Sequence, residues 1–363
     1  MNAVELAQEL VRLDTRAGNE RQAADLVAAA LAGSGFDVRI QEPIPGRANL
    51  IARRGAPSST LPYGTRPSSP RPSSTPPSIT FTGHLDTVPA REDEWSFSPT
   101  SGDIRDDRLL GRGSSDMKAG VAAQVAAAVR TSTPLQLIFT FGEETGCDGA
   151  ALIDPSDLIP TDLLLVAEPT SNRVVLGHKG ALWLRATARG VSAHGSRPEL
   201  GRNAIAALAE AALRVHDHRP WPEGATVNVG TFHSGVQPNL VPDHAEMTLD
   251  IRTTPAYDST QARAAITDLC GPEIELETLM DLPGIGTDPA GIKKALETLS
   301  PGTSPQPQAT YFTDASVLKS KLGDPAVIIY GPGDPDQAHV TNETCSVPNI
   351  EACAENLQRL LLS

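Results

Sequence analysis

Thr80-Phe81-Thr82-Gly83-His84-Leu85-Asp86 is the stretch whose reading decides the fold. Its apolar and β-branched start, closed by a glycine, reads as a short β-strand ending in a turn that presents His84 and Asp86. Four later segments also deliver a metal-capable or acidic side chain just after an apolar run or a glycine-rich turn. They are Asp116 in Gly111-Arg112-Gly113-Ser114-Ser115-Asp116, the pair Glu143-Glu144, Glu168 in Ala167-Glu168-Pro169-Thr170, and His339 in Gln337-Ala338-His339-Val340. Together they make sense only if they converge on His84.

Working outward, Leu135 to Phe141, Leu163 to Ala167 and Ala326 to Tyr330 are further continuous apolar runs. Runs of this kind between helical segments signal strands buried on both faces of an α/β sheet. Helical spacing of apolar residues marks Val4 to Leu13, Glu20 to Leu31, Met117 to Arg130 and Asn349 to Leu362. Phe36 to Ile40 and Asn49 to Ala52 alternate like strands. Ligands in such sheets bind beyond the carboxyl ends of the strands, which is where the acidic and histidine candidates fall.

From about residue 178 to residue 283 the order changes to strand (Ala181 to Ala188), helix (Asn203 to His216), strand (Thr226 to Thr231), strand (Ala245 to Thr253), helix (Thr260 to Cys270) and strand (Glu273 to Leu279). This βαββαβ order is the ferredoxin-like split pattern. It predicts a second domain, 178–283, inserted between catalytic segments 1–177 and 284–363. Residues 56–77 are so dense in proline and serine that they read as a flexible surface insertion.

Composition narrows the function classes. The net charge of −14 over 363 residues, with no basic stripe, argues against a nucleic-acid partner, because phosphate binding needs clustered Lys and Arg. No apolar run approaches a membrane span, and the N-terminus lacks the pattern of a secretory leader, so a cytoplasmic protein is expected. Cys147, Cys270, Cys345 and Cys353 form no Cys-x-x-Cys pair and read as free thiols.

The clustered candidates are nitrogen and oxygen donors without sulfur, a set that suits Zn²⁺, Co²⁺ or Mn²⁺ in a catalytic site better than a thiolate-rich structural one. A carboxylate two residues from His84 can fix the ring through its second nitrogen, which is the part expected of Asp86. Asp116 is placed to bridge two ions or to cap the helix that follows. Adjacent Glu143 and Glu144 would repel each other unless cations hold one and a proton transfer uses the other.

His84-Leu85-Asp86-Thr87-Val88-Pro89, the Gly111 to Gly120 loop, Gly142-Glu143-Glu144-Thr145-Gly146, Ala167-Glu168-Pro169-Thr170, Ser192-Ala193-His194-Gly195-Ser196-Arg197-Pro198 and Ala338-His339-Val340-Thr341-Asn342-Glu343 are ordered motifs spanning nearly the whole chain. In this they resemble the M20 metallopeptidase family, in its acetylornithine deacetylase and succinyl-diaminopimelate desuccinylase branch. The resemblance implies that His84, Asp116 and Glu168 hold one divalent ion and that Asp116, Glu144 and His339 hold a second, Zn²⁺ first, with Co²⁺ or Mn²⁺ as alternatives. It implies Asp86 as the residue that orients His84 and Glu143 as general base.

The same resemblance implies a metal-dependent hydrolase of linear amides, acting on an N-acyl amino acid such as an acetylornithine- or succinyl-diaminopimelate-like substrate. A carboxypeptidase or dipeptidase is the alternative. It further implies a catalytic α/β domain with an inserted lid through which the chain forms a homodimer. His194 in the lid would donate a hydrogen bond to the developing oxyanion, reaching into a partner's site. Asn239 and Arg252 resemble lid residues that grip a substrate carboxylate, and lid closure would bring them and His194 to the substrate together. Thr313, Asp314 and Gly331 to Gly333 would line the pocket floor. The sequence departs from the family pattern in the 56–77 insertion and at Gly195, where serine is common; neither touches an expected ligand.

Overall fold

The computed structural model describes residues 1–16, 18–55 and 78–363, so the proline- and serine-rich segment 56–77 lies outside the described residues. The chain divides into two compact units, Met1–Gly177 with Gly286–Ala309 and Thr313–Ser363, and His178–Ile285 with Thr310–Phe312. Among the described residues no helix is long and apolar enough to cross a membrane. The four cysteines are buried and unpaired.

The first unit is a mixed α/β layer built on a six-stranded sheet. Its strand order is Asp37–Ile44, Arg47–Arg54, Leu135–Thr140, Ile79–His84, Leu163–Val166 and Ala326–Ile329. The last four run parallel, while Arg47–Arg54 is antiparallel to them and to its hairpin partner Asp37–Ile44. Every residue of Ile79–His84, Leu135–Thr140 and Leu163–Val166 is buried, and none of the three strands carries an acidic residue, a lysine or an arginine. The opening helix, Ala3–Arg12, shows the complementary pattern: Ala3, Leu6, Ala7, Leu10 and Val11 are buried at helical spacing, and Asn2 and Glu5 close a capping box.

The helix Ala119–Val129 is alanine-rich because it runs nearly in contact with the backbone of the sheet. A Cβ on Gly120 would lie 2.2 Å from the carbonyl oxygen of Ala167, so only glycine fits there. The expectation of one continuous helix from Met117, capped by Asp116, is corrected by the structure. Ser114–Lys118 forms a separate wide turn that leaves helical geometry at Asp116 (φ −120°, ψ 94°) and Met117, with a cis Asp116–Met117 peptide. Asp116 is thereby turned away from capping and into the site.

The second unit is an antiparallel sheet in the order Thr226–Ser234, His244–Thr253, Gly180–Arg189 and Ile274–Leu282, which is the ferredoxin-like order. Its helices, Ala204–Asp217 and Ser259–Cys270, start at Asn203 and Asp258, whose side chains accept N–H groups of the first turn. Leu184, Met247, Leu249, Ile251, Leu208 and Ile266 fill the core between sheet and helices, where trimming one of them to alanine costs about 2–5 kcal/mol.

His178 is fully buried, and burial pushes its pKa from 6.5 down to about 4. The unfolded chain therefore takes up a proton below about pH 6.5 that the native state refuses until about pH 4, so this group removes stability as pH falls through that window. Urea unfolding of a His178→Gln variant is expected to show a shallower loss of stability than wild type between those pH values; identical slopes would contradict this.

Candidate metal centre

Strand register places the site. His84 is paired with Thr140, and Thr82 and Ile329 are both paired with Val166. The segments leaving these parallel strands, Leu85-Asp86, Phe141 to Glu144, Ala167-Glu168 and Tyr330 to Gly333, thus emerge at one edge of the sheet. Apolar strand interiors fix that register, because a slip of one residue would reverse the faces.

The donors meet there. His84 Nε2 is 3.1 Å from Asp116 Oδ1 and 3.9 Å from Glu168 Oε1. His339 Nε2 is 3.4 Å from the other Asp116 oxygen, Oδ2, and 2.9 Å from Glu144 Oε2. His84, Asp116 and Glu168 offer donor atoms within 4.8 Å of one another, and so do Asp116, Glu144 and His339. Each triad could hold a metal ion, and Asp116 belongs to both.

Asp86 acts differently from the expectation that its carboxylate fixes the His84 ring. His84 Nδ1 lies 3.0 Å from the backbone oxygen of Asp86 and 3.6 Å from its carboxylate. The carboxylate oxygens accept the N–H groups of Glu143 and Glu144 instead, each at 3.2 Å. One residue therefore orients the ring through its backbone and the Glu143-Glu144 turn through its side chain. Buried Glu143 makes no side-chain hydrogen bond among the described residues.

The charges explain why this cluster calls for cations. Burial pushes the carboxyls of Glu143 and Glu168 well above the usual range, and the neighbouring acids Glu168 and Asp116, respectively, push further. Burial, then Asp116, also raises Glu144. Burial opposes a charged His84, but the hydrogen bond with Asp116 and the charges of Asp86, Glu168 and Glu143 outweigh it and hold the ring well above its ordinary pKa. Hydrogen bonds with Asp116 and Glu144 raise His339 to about 10. With protein groups alone, the acids must share protons with two histidines to stay buried. Divalent cations would let them ionise together, and the donor set and spacing fit such ions.

The profile of peptidase family M20/M25/M40 matches residues 80–363. The chain belongs to this family. It is 33% identical to a probable carboxypeptidase of Neosartorya fischeri, over 98% of this chain and 84% of that one. It is 27% identical to a probable succinyl-diaminopimelate desuccinylase of Staphylococcus epidermidis, over 94% of this chain and 92% of the relative. The crystal structure of an M20 family metallo-carboxypeptidase from Sulfolobus solfataricus superposes with a TM-score of 0.78 over 99% of this chain and 98% of that one, at 18% identity, which speaks to the fold alone.

Within this M20 hydrolase the other sequence candidates separate. His194 and Asn239 are neighbours: His194 bridges to Leu240, and Gly195 N–H donates to the Asn239 carbonyl at 2.8 Å. Both loops adjoin the end of the sheet where Arg189 pairs with His244, whereas Arg252 pairs with Ala181 at the far end. Eight residues of strand span about 27 Å. Within one copy, Arg252 therefore stands at the opposite end of the sheet from His194 and Asn239. Arg252 Nε is 3.1 Å from Asp250, whose carboxylate also accepts Trp183 Nε1 at 3.0 Å. Thr313 is fully buried and spends its hydroxyl on Ala315 N–H; Asp314, also buried, accepts the Thr140 hydroxyl; Gly333 packs against Ser115, whose oxygen a Cβ would approach to 2.2 Å.

Glu343 has no expected role in the sequence motifs. It is fully buried and accepts N–H groups of the Asp116 loop. Its place at the end of the His339 motif was the available signal, but an acidic residue in a loop ordinarily reads as solvated.

Because Asp86 holds both His84 and the Glu143-Glu144 turn, Asp86→Asn is expected to weaken metal binding by about 10–100-fold. Calorimetric titration of Zn²⁺ into chelator-stripped protein checks this; an isotherm equal to wild type would contradict it.

Proposed function

We propose that the chain is a two-metal hydrolase of the amide bond of an N-acyl amino acid, of the deacetylase or desuccinylase type, with Glu143 as general base. The observation that supports it is the pair of donor triads sharing Asp116, with a buried Glu143 beside them whose side chain makes no hydrogen bond among the described residues. His84, Asp116 and Glu168 hold one ion and Asp116, Glu144 and His339 the other. The nitrogen and oxygen donors favour Zn²⁺. When bound, such ions supply the positive charge that acidifies a water and polarises a carbonyl.

The chain's own residues do the rest. Glu143 takes the proton of the attacking water and passes it to the leaving nitrogen as the carbon–nitrogen bond breaks, so that a carboxylic acid and a free amino acid result. Asp86 keeps Glu143 and Glu144 in register by accepting both of their N–H groups. His194 donates to the developing oxyanion. Arg252 offers the planar fork that matches two carboxylate oxygens.

His194, with its neighbour Asn239, would act in a partner's site, so a homodimer through the second unit is part of this proposal. Four buried, unpaired cysteines support a reducing, cytoplasmic setting.

A second reading, a metallo-carboxypeptidase or dipeptidase, draws on the 33% identity to a probable carboxypeptidase. Its substrates share the decisive feature, an amide whose amine side is an amino acid. A panel of N-acetylornithine, N-succinyl-diaminopimelate, N-blocked dipeptides and free dipeptides, read by released amine, is expected to give turnover of an N-acyl amino acid. Cleavage of peptides alone would transfer the assignment to the second reading, and a metal-loaded protein inert to every member would contradict both.

Glu143→Gln is expected to keep its metal while kcat falls by about 10²–10⁴-fold. Near-normal turnover in that variant would remove Glu143 from the mechanism.

A further inference from the structure

Gly113, Ser115 and Asp116 point their N–H groups inward from a loop that has left helical geometry, and none finds an acceptor within its own turn. Buried donors in that position need an acceptor from elsewhere. Glu343 supplies it: Oε1 accepts Ser115 N–H at 2.7 Å and Asp116 N–H at 3.0 Å, and Oε2 accepts Gly113 N–H at 2.9 Å. Oε2 also takes Arg112 Nη1 at 2.8 Å, and the Glu343 backbone oxygen takes Gly111 N–H at 3.1 Å.

The same residue belongs to the segment that carries His339. Arg112 reaches back through Nη2 to the His339 carbonyl at 3.4 Å, and Ser115 Oγ donates to the Thr344 carbonyl at 3.0 Å. Both Glu343 oxygens are occupied by N–H donors and the charge is matched by Arg112, so this carboxylate is not a further metal donor. Its bonds fix the backbone at the one residue whose two oxygens face His84 and His339.

We propose that Glu343 is a positioning residue that locks the Asp116 loop to the His339 loop, so that the two donor triads assemble together and not one at a time. The inference rests on the two-metal reading above. It separates Glu343 from a filler of buried space: a glutamine of the same shape keeps one acceptor oxygen but sets its NH₂ group against N–H donors, which frees the Asp116 backbone without opening a cavity.

The test is calorimetric titration of Zn²⁺ into chelator-stripped wild type and Glu343→Gln, with circular dichroism to show that both are folded at the working temperature. Wild type is expected to take two ions. The variant is expected to lose affinity for both by about 10–100-fold, with matching loss of kcat and little change in KM. If Glu343→Gln does not fold, Arg112→Gln, which leaves the three backbone bonds to Glu343 in place but drops the link to His339, is expected to weaken at least one ion several-fold.

A wild type that binds two ions beside a folded variant that binds both equally well overturns the positioning role. A wild type that binds none overturns the two-metal reading itself, whatever Glu343 does.

Discussion

Repulsion among buried carboxylates is the constraint on which the rest of this molecule depends. Asp86, Asp116, Glu143 and Glu168 are buried, with Glu144 at their edge, at the end of one sheet, opposed by the imidazoles of His84 and His339. Two like charges 4 Å apart cost about 4 kcal/mol at the effective dielectric of a protein surface and more in its interior. A fold keeps such a group together only if it fixes the backbone firmly and if positive charge is to be held there. The parallel strands do the first; the two donor triads are suited to the second.

The fold serves that end through register. Four parallel strands are paired in one register, and a slip of one residue would turn every packed side chain to the other face, so the residues just beyond them are held at fixed mutual positions. Small residues then bring the second layer close: Gly120 lets the alanine-rich helix approach the Ala167 carbonyl, and the break at Asp116 turns a would-be cap into a shared donor. Packing, register and chemistry are one arrangement here, which is why the site sits on strand ends and tight turns and not on a long loop.

Much of this could be read from the chain alone because it is local. Apolar runs marked the buried strands, and each candidate follows such a run or a glycine-rich turn, so His84, Asp116, the pair Glu143-Glu144, Glu168 and His339 stood out. What could not be read depends on contacts distant in sequence. Asp86 binds the Glu143-Glu144 turn 57 and 58 residues away, and Glu343 binds the Asp116 loop 227 residues away; neither pairing leaves a periodic trace. Arg252 joins His194 in the sequence reading only through the resemblance of both to lid residues. Only the strand pairing shows that they occupy opposite ends.

The most direct measurement of the central claim is an anomalous difference map from crystals grown with Zn²⁺, recorded at the zinc edge. Two peaks are predicted, one enclosed by His84, Asp116 and Glu168 and the other by Asp116, Glu144 and His339, with one Asp116 oxygen facing each. A single peak at full zinc saturation, or peaks that do not share Asp116, would contradict the account.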